Sequence, residues 1–458
     1  MSEDSREYNL EHKKVSKLVW DYALPAIVGT MVNALYNIVD RIFIGQGVGA
    51  MAISGLALTF PVMSMTGALG MLVGAGASSR ISISLGQKDK EKAERIMGNS
   101  LLLIIILNAV FMSLFMIFLK PILLAFGASE ATYPYARDYL QIVLIGNVFV
   151  SLCFSFNNIM RASGYPKKAM YTMLIGASLN IILDPIFIFV FHMGIKGVAI
   201  ATVIAMFIGM LFVMHHFTLK TSVIQLRRKN IRLDKDIILS ILSIGVSPFT
   251  MQIAAAGVVI FMNILLMRHG GDLAIGAYGI WNSIALMFVM MMIGLNQGAQ
   301  PIIGYNFGAK NYSRTKETLF FCIKMALFFS VPGFLIIQLF PRQIAGIFTS
   351  DKELLDITEH AMRIASLAFP VVGMQIVISN FFQSIGYALK SIIQSLSRQI
   401  LFLIPALLVF PRIWGLTGVW ASIPVSDFLA FLLSLYLLLL QMRTINKIER
   451  EHKMSKGI

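Results

Sequence analysis

Charge is scarce in this sequence. Asp, Glu, Lys and Arg make up 13% of its 458 residues, about half the share with which a soluble domain covers its surface. That shortage excludes a cytosolic enzyme and a disordered chain. Cysteine is scarcer still, and because Cys153 and Cys322 both fall in apolar stretches, a secreted disulfide scaffold is excluded as well. The seven histidines form no spaced cluster in the apolar segments, and no Gly-x-x-x-x-Gly-Lys-Ser/Thr run occurs. Neither a metal centre nor an ATP-driven pump is indicated. An intramembrane enzyme such as a prenyltransferase would need an aspartate-rich diphosphate-metal motif or a His/Ser constellation within its spans. Neither is present, so the chain reads as no enzyme, with no cofactor.

What abounds is apolar surface. With 57% hydrophobic residues and a mean hydropathy of +0.77, the chain reads as an integral membrane protein. A membrane helix needs about 20 apolar residues. Twelve such stretches are predicted, near 15–45, 52–80, 97–119, 136–160, 169–191, 197–219, 238–267, 274–303, 317–340, 357–383, 391–411 and 416–442. A transmembrane barrel would instead show alternating segments of about 10 residues. The first stretch is too long for a signal-peptide core and lacks a small-residue cleavage site, so it is expected to remain.

The net charge of +15 is an orientation signal and no footprint for nucleic acid. Lys and Arg crowd residues 6–17, 80–95, 161–168, 220–235, 310–316, 390–398 and 443–456, all on one side of the predicted layout. The opposite side holds only scattered cations such as Arg41, Lys120, Arg268 and Arg412. By the positive-inside rule both termini are cytoplasmic, in a multi-pass protein of the cell (inner) membrane.

The two halves are copies. GAGASSRISISLG at 74 aligns with NQGAQPIIGYNFG at 296, an offset of 222 residues that also pairs GVGAMAISGLAL at 47 with HGGDLAIGAYGI at 269 and Gly164 with Gly386. Such self-similarity marks a repeat architecture. The predicted fold is all-α, twelve transmembrane helices in two six-helix lobes related by a pseudo-two-fold axis. The expected boundaries are an N-terminal tail 1–14, a lobe 15–220, a basic linker 221–236, a lobe 237–442 and a C-terminal tail 443–458. Two lobes around a shared cavity suit alternating access.

Only Asp40, Asp184 and Asp427 lie well inside predicted spans, and an intramembrane acid is a functional candidate by default. Asn33, Asn37 and Asp40 fall at steps of four and three on one helix face, with Tyr36 a turn before Asp40. Asn180 and Asp184 stand at i and i+4 of the fifth span. Thr202 lies in the sixth. Asp427 has no recognisable polar partner set and is expected to pack helices or line a cavity. Met287, Met290, Met291 and Asn282 on the eighth span are candidates for a promiscuous substrate cavity, because thioethers adapt to varied ligands. Pro25 is a candidate hinge of the first helix.

The segments PAIVGTMVNALYNIVDRIFIGQGVG, LNIILDPIFIF and GVAIAT, in a two-lobe layout of twelve spans, resemble the multidrug and toxic compound extrusion (MATE) family, most closely its DinF-type branch. The resemblance implies efflux of amphipathic, often cationic drugs by antiport. It also implies an N-lobe ion-coupling network at Asp40, Asn180, Asp184 and Thr202. Two carboxylates, an amide oxygen and a hydroxyl suit either H+ or Na+ as coupling ion. Other branches carry essential acids in the second lobe, but here the counterpart of Asp40 is Met262. The expected partners are small organic cations and membrane lipids, with no nucleic acid, and the protein is expected to be a monomer. The alternative is a lipid-linked oligosaccharide flippase of the same superfamily, which would place cations in its central cavity.

Overall fold

A backbone in hydrocarbon finds no water to bond, so each span must satisfy its own N–H and C=O groups. The chain does this with helices. The computed structural model describes residues 10–455, and no strand occurs among them. The first half contains α1 (Val15–Gly47), α2 (Ala50–Gly86), α3 (Lys90–Ile117), a short α4 (Leu119–Ala125), α5 (Tyr133–Ala162), α6 (Pro166–Pro185) and α7 (Gly194–Thr218). The second contains α8 (Lys235–Gly308), α9 (Tyr312–Leu339), a short α10 (Pro341–Ala345), α11 (Lys352–Ala365), α12 (Phe369–Ser384), α13 (Ala388–Leu396) and α14 (Ile404–Ser455).

Among the described residues nine helices are long and apolar enough to cross a membrane, and α11 with α12, bent by 54°, supplies a tenth. Two of the nine are double. α8 turns back at Gly271 (φ 64°) and the last one at Gly415 (φ 55°), conformations open to glycine and strained for other residues. Divided there, the described residues hold twelve segments fit to cross. Its final helix continues to Ser455, so residues 443–455, expected as tail, are helical.

The repeat is visible in the backbone. Left-handed residues recur 222 positions apart as Gly49 and Gly271, Lys88 and Lys310, and Gly164 and Gly386. Asp89 caps α3 by accepting the Lys92 N–H, and its counterpart Asn311 caps α9 by accepting that of Arg314.

Among the described residues the lobes pack closely at one end. Both ends of the described chain lie there: Lys316 donates to Glu449 and Asn446 near the end of α14, while Arg314 donates to the carbonyls of Leu10 and Lys13. At this end α2 and α8 touch backbone to backbone. A Cβ added to Gly245 would lie 1.7 Å from the Leu72 carbonyl oxygen. One apolar core, including Val19, Ile81, Ile241 and Ile303, runs through both halves. Farther from the termini the core divides, with one cluster in the second half around Met262, Trp281 and Trp420 and two in the first around Ile44 and Leu140. Gly67 on α2 and Gly257 on α8 have nothing within 4 Å of an added Cβ. The described residues form a V, open at the end remote from Leu10 and Glu449.

The connection between the lobes is anchored to α3. Glu94 accepts the Gln225 N–H at 3.1 Å and pairs with Arg227 at 3.3 Å, while Arg95 pairs with Asp234 at 2.6 Å.

Candidate functional site

Three helices of the first lobe bring four polar side chains together. Asn180 and Asp184 share one face of α6, and Asn180 Nδ2 reaches both Asp184 Oδ1 and Thr202 Oγ1 of α7 at 3.3 Å. Asp40 of α1 stands within side-chain hydrogen-bonding reach of Asp184. Asp184, Asn180 and Asp40 are buried and Thr202 is half-buried. Directly after Pro185 the helix widens into a π-turn over Ile186–Val190. Proline has no N–H to give and π-turns concentrate at functional positions, so the backbone is loosened beside Asp184.

Two carboxyl groups this close need a proton between them or a cation beside them. Asn180 Oδ1 and Asp184 Oδ2 are buried with no hydrogen-bond partner. These acceptors are oxygens, which a hard cation prefers, and the residues fit a proton or a sodium ion equally. No group of three or more His, Cys, Asp or Glu gathers anywhere among the described residues. Asn33 and Tyr36 on α1 are half-buried and engaged in contacts of their own. The side chain of Asn37 lies outside the described residues.

The open V presents a different surface. Gly298, Gly294, Met290 and Met287 form one stripe of α8 at helical steps. Gly298 meets Ala23 and Gly294 meets Ile27 of α1, and Thr30 Oγ1 donates to the Met290 carbonyl at 3.3 Å. Met287 continues the stripe beyond these contacts and is exposed, so it faces the cleft. Met291 is half-buried against the shared core. Asn282 points roughly 120° away from the stripe by helix geometry and does not join the methionines. Pro25 lies inside α1, which runs unbroken from Val15 to Gly47.

Three charges stand differently from their sequence reading. Asp427 has a partner: Arg398 Nη1 lies 3.6 Å from its Oδ1. Arg398 itself is no loop cation. It sits in a π-turn, Ser397–Leu403, whose wider winding alters where a side chain near a helix end points. Arg161, also grouped with the loops, is buried in α5 and donates to Asn157 and Asn158 Oδ1 at 2.5 and 2.7 Å. A signal was present, since asparagines four and three residues before an arginine place acceptors on its own helix face.

Comparison with known proteins agrees with this architecture. The family model described as MatE matches residues 25–186 and again 248–408, once in each half. Multidrug export protein MepA of Staphylococcus aureus (strain MSSA476) is 29% identical over 438 residues, covering 95% of this chain and 96% of the relative. A solved structure described as MATE in the bent conformation superposes with a TM-score of 0.92 at 24% identity, covering 97% of this chain and 99% of the other. Another, described as the outward-facing conformation of a multidrug resistance MATE family transporter of the MOP superfamily, gives 0.90 at 24% identity, covering 96% and 99%.

Proposed function

Because the chain belongs to the MatE family, a family of transporters and not of enzymes, we propose that this multidrug efflux protein exports amphipathic, often cationic compounds in exchange for protons or sodium ions. The observation that carries the reading is the contact of Asp40 with Asp184 in a lobe that borders an open cleft. We take the end with the termini as cytoplasmic, in line with its cations. The V then opens outward. In this state a drug leaves the cleft, and the close carboxyl pair holds an ion taken up from outside. The bound ion cancels the repulsion between the two carboxyl groups so that α1 and α6 stay together, the lobes rock, and the ion is released inward as the next drug enters.

Exchange of one monovalent cation for another moves no net charge, so the ion's concentration gradient alone drives it. Tenfold drug accumulation asks for about 1.4 kcal/mol. Met287 and Met290 offer the cleft polarizable, adaptable surface, which suits varied substrates. A flippase would be expected to show the cleft cations, and this stripe carries methionine and glycine. Lobes at 15–220 and 237–442, the linker 221–236, a monomeric state, membrane lipid contacts and a place in the inner membrane complete the reading. Purified protein in liposomes, loaded with a fluorescent cation under a proton or a sodium gradient, tests it. Counterflow is expected with one of the two ions; its absence with both overturns antiport.

A further inference from the structure

Arg161 is a charge without a counter-charge. It is 3% exposed, and among the described residues no carboxylate lies near enough to compensate it. Its acceptors are the neutral oxygens of Asn157 and Asn158, with Met173 Sδ 4.0 Å from Nη1, and its Nε is buried with no partner. A buried guanidinium held this way is expensive, and such groups persist where their charge has a use.

Its place suggests the use. Met173 of α6, beside the guanidinium, also fills the space over Gly29 of α1, where an added Cβ would lie 2.7 Å from the sulfur. Asn157 donates to the Ala169 carbonyl of α6 at 2.8 Å. The Asn158 amide nitrogen lies 3.1 Å from where a Cβ on Gly74 of α2 would stand. Thus α1, α2, α5 and α6 close together around Arg161. Gly29 precedes Asp40, and Met173 precedes Asp184, by the same eleven residues. At 1.5 Å per residue this layer lies roughly 16 Å from the carboxyl pair along both helices, on the side of the termini. Farther toward the termini comes another basic pair, Lys168 and His216, 3.3 Å apart.

We infer that Arg161 is an electrostatic stopper, which closes the interior of the first lobe to cations so that an ion held at Asp40 and Asp184 leaves only through the interlobe cleft. Packing at this layer stops a hydrated ion, but a proton can hop along hydroxyls, amides and transient water. A fixed positive charge in a narrow passage stops the proton as well. The inference rests on the carboxyl pair being the ion site. It adds what an antiporter needs, namely that the gradient cannot run down through the lobe while no drug moves.

The test uses the full chain in liposomes without drug, with an internal pH-sensitive or sodium-sensitive dye. Wild type should hold the gradient. Arg161→Gln should raise the leak at least tenfold, Arg161→Lys should restore tightness by keeping the charge, and adding Asp184→Asn to Arg161→Gln should abolish the leak. Should Arg161→Gln fold poorly, Asn157→Asp neutralises the guanidinium in place with little change of shape, and it too should leak. Either neutralising variant holding the gradient like wild type, or a lysine variant as leaky as the glutamine one, overturns the stopper. A wild type without ion-driven counterflow whose neutralised variants still leak supports the stopper and removes only the coupling reading.

Discussion

Gly86 and Gly308 are each other's images across the closed end of the V. A Cβ on Gly86 would lie 2.0 Å from the Tyr305 carbonyl oxygen, and one on Gly308 would lie 2.1 Å from that of Ile83. Residues 83 and 305 are repeat partners, as are 86 and 308, so one contact is made twice, as in an isologous dimer. At these two glycines the seam between the lobes is thus backbone on backbone, and neither helix has room there for a side chain.

This close approach predicts how the conformational equilibrium can be shifted. Gly245→Ala places a methyl where the Leu72 carbonyl already lies, so the lobes must part at this end. Spin-label distances across α2 and α8 near the termini should lengthen in Gly245→Ala and Gly308→Ala. Gly257→Ala, with open space around it, should leave the distances unchanged.

The carboxyl pair predicts a graded set of losses. Asp40→Asn and Asp184→Asn should each lower ion-driven efflux at least a hundredfold while the protein stays folded. Thr202 contributes a single hydrogen bond at 3.3 Å, worth about 1 kcal/mol. Thr202→Val should therefore weaken ion affinity only about fivefold in the same liposome assay. Wild-type transport by both aspartate variants would remove this site from the mechanism.

The Arg398–Asp427 pair predicts an asymmetry. Asp427 is 9% exposed in its side chain and Arg398 33%. Losing the arginine strands a buried carboxylate, at a cost of up to about 3 kcal/mol. Losing the aspartate leaves an arginine whose long stem can carry its charge outward, at about 1 kcal/mol. Arg398→Met should lower the melting temperature in detergent more than Asp427→Asn, and the double variant should recover part of the loss. Ion coupling should survive Asp427→Asn.

One acid outside the spans sets a pH dependence. The Ile237 N–H first, and then Arg95 and the Asp236 N–H, hold the Asp234 carboxyl below the usual carboxylate range. A depressed carboxyl contributes stability above its unfolded value, near 4, and loses it as pH falls through the lower folded value. Protease accessibility of residues 219–234 should thus rise only on acidification below about pH 4. In Asp234→Asn the segment should be accessible already at neutral pH, with little further change.

Several of these features were legible in the sequence because they depend on one helix at a time. Twelve apolar stretches give the spans, and an i, i+4 spacing puts Asn180 and Asp184 on one face before any neighbour is known. The repeat could be read because Gly164 and Gly386 occupy the same left-handed position in each copy. What could not be read depends on how helices meet. Counting cations by loop placed Arg161 and Arg398 in water, since both lie near helix ends. One is drawn in by acceptors and close packing, the other sits in a π-turn that composition does not announce. Met287 and Asn282 look equivalent as polar or soft residues on one span, yet only the helix they meet decides which of them faces the cleft.

The anchoring of the interlobe segment to α3 also has a consequence for where the polypeptide can be cut. Glu94 and Arg95 hold Gln225, Arg227 and Asp234 against the first half, so this stretch is cargo of that half and no slack tether between two bodies. The anchored stretch ends where α8 begins, and α8 stays tied to the first half beyond that point, because Arg80 donates to the Ser240 carbonyl. A protein expressed as two chains severed at the start of α8 would keep the whole clasp on its first piece. The rigidity of the connection, more than its length, would show in how poorly such pieces keep step.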